Sequence, residues 1–157
     1  MKIPKNKGVS LMEMLIVISL IGLISAIVVP SFSDFRKNQV LRNTTEDIVS
    51  LLNEARSSTL ASKNFNTYGV HFDTDRAVLF TGASFTDQSS NKQIDFDQSV
   101  NIPVDGGINL EGGGNNVIFK RMTGETSEYG TITIQQINNP SHQKIISISL
   151  IGVVTVN

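Results

Sequence analysis

Cysteine and tryptophan are absent from the 157 residues, and histidine occurs only twice, at His71 and His142. Without cysteine, disulfides, thiolate zinc sites and cysteine nucleophiles are all excluded. Charge is also scarce. Lys and Arg number 13 against 14 Asp and Glu, 17% of the chain in all, for a net charge of −1. No global basic field therefore exists to gather nucleic acid. The shortfall in charge does not mean disorder, which needs few apolar residues and high charge. Here hydrophobic residues make up 39% and the remaining polarity is neutral, with Ser, Thr and Asn together numbering 43. The length suits one domain of ordinary size.

What the chain has instead is one long apolar run. Met14 to Val29 carries no charge, and the stretch from Val9 to Val29 is 21 residues with the single acid Glu13 inside it. At about 1.5 Å per residue this reaches roughly 30 Å, the hydrocarbon thickness of a bilayer. A helix apolar on every side needs a large protein or a membrane around it, and the rest of this chain is small. A bilayer span is the expected reading. A cleaved secretory signal peptide would also begin with basic residues (Lys2, Lys5, Lys7), but its apolar core is shorter and carries no acid. The polar bulk follows the span, which makes N-in, C-out the simpler topology.

The string Gly8-Val9-Ser10-Leu11-Met12-Glu13-Met14-Leu15-Ile16-Val17-Ile18 resembles the processing site of type IV pilin-like proteins. They have a short basic leader ending in Gly, an aromatic or aliphatic residue, Thr or Ser, Leu, a variable residue, Glu, then an apolar run. Pro30 also falls where the family commonly has a proline. Val9 departs from the pattern, since Phe or Met is commoner there. The resemblance implies cleavage between Gly8 and Val9 by a membrane aspartic prepilin peptidase, then N-methylation of Val9. It implies partners too: other pilin or pseudopilin subunits, the peptidase/methyltransferase, an inner-membrane assembly platform and membrane lipid. A lone carboxylate in an apolar helix is costly and normally paired. Glu13 could meet a new amine at Val9 within the chain, at i, i+4 spacing, or on a neighbour. The resemblance favours the neighbour.

After Pro30 the pattern becomes amphipathic. Leu41, Thr45, Ile48, Leu51/Leu52, Ala55, Thr59 and Ser62 recur every three or four residues, while Arg36, Lys37, Arg42, Glu46, Asp47, Glu54 and Arg56 fall largely elsewhere. Either Pro30 kinks one helix or it separates two. From Thr67 the period is two. Strands are expected at 68–72, 77–81, 93–96, 100–102, 117–121, 131–136, 144–150 and 153–156, broken at Asp73-Thr74-Asp75, Asp105-Gly106-Gly107, Gly112–Asn116, Asn138-Asn139-Pro140 and Gly152. The expected fold is α+β, a long N-terminal helix packed on an antiparallel β-rich head. Its divisions are a leader at 1–8, a membrane/assembly helix at 9–29, an amphipathic helix at 30–63 and the head at 64–157. Leu52–Ser58 and the ending Ile146–Val156 resemble H-type minor pseudopilins of type II secretion and their pilus-assembly relatives.

No catalytic constellation is visible. His71 lies in an apolar alternation and reads as a strand-surface residue. Asp73-x-Asp75 reads as a hairpin turn; a calcium loop would need a Gly and a distal Glu that are missing. Gly112–Gly114 lacks the Lys-Ser/Thr of a phosphate loop. No metal or cofactor is expected. Residues 64–157 hold five basic against nine acidic side chains, and only Lys120-Arg121 are adjacent, so nucleic acid is not an expected partner. The polar loops Gly82–Ser90 and Gly106–Asn116, with the acidic head, point to a minor rather than a repeating subunit. The expectation is a minor pseudopilin of a type II secretion pseudopilus. The alternatives are a type IV pilus pilin, major or minor and including the DNA-uptake kind, and a membrane-tethered ligand-binding module.

Overall fold

The computed structural model describes residues 8–157, with the side chains of 27–31 outside the description; the leader residues 1–7 fall outside it. One helix, α1, runs Leu11–Leu60 as a single element. The lost N–H donor at Pro30 does not end it, which decides against two separate helices. The chain divides into two compact units, one up to Arg36 and one from Lys37 to Asn157. In the first, every described side chain from Gly8 to Ala26 is exposed, Leu11 by 78% and Leu23 by 66%.

The second unit is built on the opposite behaviour of the same helix. Leu41, Thr45, Ile48, Leu51, Leu52, Ala55 and Thr59 are all buried, while Arg42, Glu46, Asp47 and Glu54 are exposed. A stripe repeating every three to four residues lies along one helical face, and the face with apolar and small side chains is the one removed from water. Thr45 and Thr59 enter the core because each hydroxyl donates to the carbonyl four residues back, at Leu41 (2.7 Å) and Ala55 (2.9 Å). The helix ends at Leu60, three residues short of the expected boundary. A 3-10 turn, Lys63–Phe65, follows, with Asn64 in the left-handed region.

Nine strands follow: β1 Tyr68–Phe72, β2 Arg76–Thr81, β3 Lys92–Asp95, β4 Val100–Asn101, β5 Ile108–Leu110, β6 Asn116–Ile118, β7 Gly130–Gln136, β8 Asn139–Ile148 and β9 Val154–Val156. They form two antiparallel sheets, ordered β3-β2-β1-β6 and β4-β7-β8-β9, with β5 also pairing β7. Inward residues alternate along the strands. Tyr68, Val70, Phe72, Ala77 and Val117 of the first sheet, and Val100, Leu110, Ile132, Ile134, Ile146 and Ile148 of the second, share one core with the α1 stripe.

Four expectations need correction. The segment 106–116 is not a continuous loop, because Ile108–Leu110 pairs with β7; its three residues are too few to show alternation. The expected strand 117–121 stops at Ile118 in a sheet. Phe119 makes only a single bridge to Thr126, which leaves Lys120-Arg121 in a turn. Asn139-Pro140 is not a break. β8 starts there, and Pro140 lies where the β7–β8 register shifts, so its missing N–H costs the ladder no bond. Finally, Gly82–Ser90 is not wholly exposed, since Phe85 turns back and is half-buried.

Thr59 joins the helix to the first sheet. Its hydroxyl accepts the Tyr68 backbone N–H at 2.9 Å while donating to Ala55. Thr59→Val keeps the shape but leaves that buried N–H without a partner, which costs about 1–3 kcal/mol. Urea unfolding of the Lys37–Asn157 unit should show that loss.

Candidate processing and assembly site

The motif residues lie at the start of α1. Gly8, Val9 and Ser10 precede the helix in open positions, and the Met14 N–H closes the first bond to the Ser10 carbonyl at 3.2 Å. Val9 is 70% exposed. Glu13 is exposed within the first helical turn, where the unpaired N–H groups of the helix favour a negative charge. Val9 and the Glu13 carboxylate four residues on are both exposed. Pro30 belongs to α1, but its side chain lies outside the described residues. Among the described residues no helix is long and apolar enough to cross a membrane. The expected span, 9–29, runs past Ala26 into side chains that are not described.

In the second unit, polar side chains act mainly as ties. Arg56 donates to the carbonyls of Gly124 (3.3 Å) and Ile151 (3.2 Å), holding two turns to the helix end. Gln136, buried on β7, donates to Asn38 Oδ1 at 2.9 Å, and His142 Nδ1 approaches the same oxygen at 3.2 Å. His71 sits on the outer face of β1, opposite Asn116 of β6 and Val78 of β2. Its Nδ1 lies 2.7 Å from Asn116 Oδ1 and its Nε2 lies 3.2 Å from Asp73 Oδ1. Its ring stacks on Phe85 at 3.8 Å, and Phe85 meets Phe80 edge-on at 5.5 Å.

Asp73 opens the β1–β2 turn, closed by its N–H to the Arg76 carbonyl at 3.0 Å. Arg76 Nε donates to Asp73 Oδ2 at 2.7 Å, and Arg76 Nη2 reaches Asp87 at 3.3 Å. Burial works against ionising Asp73, yet the Arg76 hydrogen bond together with His71 outweighs it and holds the carboxyl below its usual range. Hydrogen bonds to Asp73 and Asp87 raise Arg76. Asp73 is thus committed to protein partners rather than to a cation loop. Among the described residues no group of three His, Asp or Glu is placed to hold a metal ion.

A model of the prokaryotic N-terminal methylation motif matches residues 3–29, the segment that carries Gly8, Val9 and Glu13. Two fimbrial proteins of Pseudomonas aeruginosa are each 28% identical over 89 residues, 57% of this chain. The match spans 58% of their length. Two solved structures share the fold. The type IV minor pilin FimU of Pseudomonas aeruginosa aligns at TM-score 0.56 and 16% identity, over 74% of this chain and 92% of its own. In motif and in fold the chain is similar to type IV pilin-like prepilins. The minor pseudopilin EpsH, from the Vibrio cholerae type 2 secretion system, aligns at TM-score 0.54 and 13% identity, over 74% of this chain and 95% of its own. The helix followed by antiparallel sheets is the pilin-like α+β arrangement.

Gly8 and Val9 precede α1, and Glu13 and Pro30 fall within it. Sequence reasoning took His71 for a surface residue and missed the cluster around it. Phe85 was hidden in a polar loop, and Asp87 and Asn116 have no local pattern that ties them to His71. The turn Asp73–Arg76 was legible, and its ion pair has a pH signature. A carboxyl lowered on folding stabilises the fold above its unfolded pKa, and that contribution is lost as pH falls through the folded value. Asp73→Asn should therefore destabilise the unit at pH 7 by up to about 1 kcal/mol. The gap between variant and wild type should close below about pH 4, as urea titrations at each pH would show.

Proposed function

We propose that this pilin-like chain is a minor subunit of a type II secretion pseudopilus. In this reading a prepilin peptidase cuts between Gly8 and Val9, Val9 is N-methylated, and the first half of α1 drives assembly. The observation that carries it is the division within one helix. Its first described stretch exposes every apolar side chain, while the stretch from Leu41 to Thr59 is buried against a β head. A surface of that kind requires lipid before assembly and neighbouring helices afterwards. The subunit sits in the inner membrane with its N-terminus inside, on an assembly platform, and its head projects into the periplasm or to the cell surface. A type IV pilus is the second reading, favoured by the fimbrial relatives and by the minor pilin among the similar structures. Both similar structures are of minor subunits, in line with a low-copy role here.

Intact-mass measurement of membrane-extracted protein tests the processing. The expected mass lacks residues 1–8 and gains about 14 Da for one methyl group. Gly8→Leu should stay full-length, because close approach of extended backbone at the cut tolerates only the smallest side chain. A full-length wild-type mass would turn the reading to a tethered module.

Glu13 tests assembly separately. Glu13→Leu should insert at least as well as wild type, since removing an acid from an apolar helix lowers its insertion cost by about 2–3 kcal/mol. It should nevertheless be depleted from sheared filaments, because a neighbour's terminal amine loses its partner. An antibody to the head applied to the wild-type filaments reads the copy number. Sparse labelling fits the minor role, and continuous labelling along the shaft would make this a major subunit.

A further inference from the structure

We propose that the end of the second unit around Leu60 docks on the opposite, acidic end of a second copy of this chain, head to tail. Three turns meet at the Leu60 end around Arg56, which donates to the carbonyls of Gly124 and Ile151. The first, 61–66, is tied by the Tyr68 hydroxyl to the Lys63 carbonyl at 3.3 Å. The second, 120–125, is closed by the Gly124 N–H to the Lys120 carbonyl at 2.9 Å. The third, 149–153, receives the Thr126 N–H at its Leu150 carbonyl, 3.0 Å away. Each turn holds large apolar side chains out in water. Phe65 is 84% exposed and Met122 85%, and Leu60, Leu150 and Ile151 are exposed with them. The backbone singles out the same place. All four non-glycine residues with positive φ among the described residues (Ser62, Asn64, Phe65 and Met122) lie in the first two turns. In that region Cβ crowds the following carbonyl, and neither Phe65 nor Met122 gains burial from it. Strain of this sort gathers at sites of contact.

Charge selects the partner. The three turns carry Lys63, Lys120 and Arg121, all exposed and outside the ion pairs of the described residues, against one acid, Glu125. The far end reverses this. β1 runs from Tyr68, beside Thr59, to the Asp73 turn, and toward that end Asp75, Asp95, Asp97 and Asp105 are all exposed. Asp75 and Asp95 line a cleft of about 630 Å³ with Pro103 and Val104, and the Val104 side chain stands in water at its rim. Arg76 on β2 and Arg42 on α1, toward the same end, are already paired with Asp73 and Glu46. The tie from Asn38 to Gln136, which is opposite Val100, sets this end apart from Leu60 by roughly 30 Å of helix. Each end thus has an apolar centre, one ringed by cations and the other by carboxylates, and the two match head to tail but not like to like. Such a contact uses different patches on the two copies, so it adds copies in one direction rather than closing a dimer. It adds a contact between heads to the assembly driven by α1, does not depend on cleavage at Gly8, and holds for a run as short as two copies.

The chain has no cysteine, so introduced thiols report the contact without background. Full-length Met122→Cys mixed with full-length Val104→Cys in detergent micelles at low salt should give disulfide-linked pairs of unlike chains on oxidation, and a chain carrying both substitutions should give a ladder. Raising the salt should weaken both, since the charges that steer the contact are exposed. Lys120→Glu with Arg121→Glu on the Met122→Cys chain should remove the crosslink, as should Asp75→Lys with Asp95→Lys on the Val104→Cys chain. Mixing the two charge-reversed chains should restore it, which separates a lost contact from a lost fold. Pairs of Met122→Cys with itself forming as readily as unlike pairs would overturn the proposal, as would crosslinking indifferent to charge reversal. A Met122→Cys thiol that gives no crosslink, yet is shielded from a water-soluble maleimide when phosphatidylglycerol is added to the micelles, would assign this end to lipid and overturn it too.

Discussion

Burial of one face of α1 between Leu41 and Thr59 is the constraint on which the rest of the second unit depends. The inward faces of both sheets meet the same helical stripe in one core. The first offers Tyr68, Val70, Phe72, Ala77 and Val117, and the second a ladder of isoleucines at 132, 134, 146 and 148. Their common partner is the helical stripe. Ile48, Leu52 and Ala55 are fully buried there, and each large aliphatic side chain so removed from water stabilises by roughly 1.5–3 kcal/mol. The stripe also explains why polar residues at its margins are spent on ties. Arg56 fixes two turns, Lys92 reaches Glu54 from β3, and Asn38 takes the amide of Gln136. Each holds a sheet or loop in register with the helix.

The same helix follows a different rule before Arg36. There the apolar residues are not confined to a stripe, and all the described ones are exposed. The two behaviours require two environments. A stripe answers to a protein core on one side and water on the other, whereas an apolar cylinder answers to lipid or to other such cylinders. Glu13 marks the difference most sharply, since a single carboxylate near the start of such a cylinder is tolerable only where a cation can meet it.

The legible parts of this architecture were those with a period. A 3.6-residue repeat over six turns identified the buried face of α1 almost residue by residue, and two-residue alternation located β1, β2, β7 and the inward part of β8. The motif around Gly8 and Glu13 was readable because its spacing is set by chemistry on a single local segment. What escaped was short or non-local. β5 has three residues and no alternation to show. Pro140 looked like a stop because a bulge that accommodates proline leaves no trace in composition. Phe85 sat among Ser, Thr, Asp and Gln, and only the tertiary structure reveals that its ring packs on His71 and Phe80. His71 does lie on the outer face of its strand, but its two hydrogen-bond partners come from a turn and from a strand 45 residues away, which no local pattern shows.

The scarcity of charge takes on meaning once the pairs are seen. Arg42 is paired with Glu46, Arg76 with Asp73 and Asp87, and Lys92 with Glu54. Exposed pairs of this kind contribute little stability each, about 0–1 kcal/mol; they cancel charge locally, while the head as a whole keeps nine acids against five bases. Weak fields at physiological salt die away within about 8 Å. The few side chains that keep a charge in a structured setting, Asp73 and Arg76 above all, act inside the head, where they shape a loop.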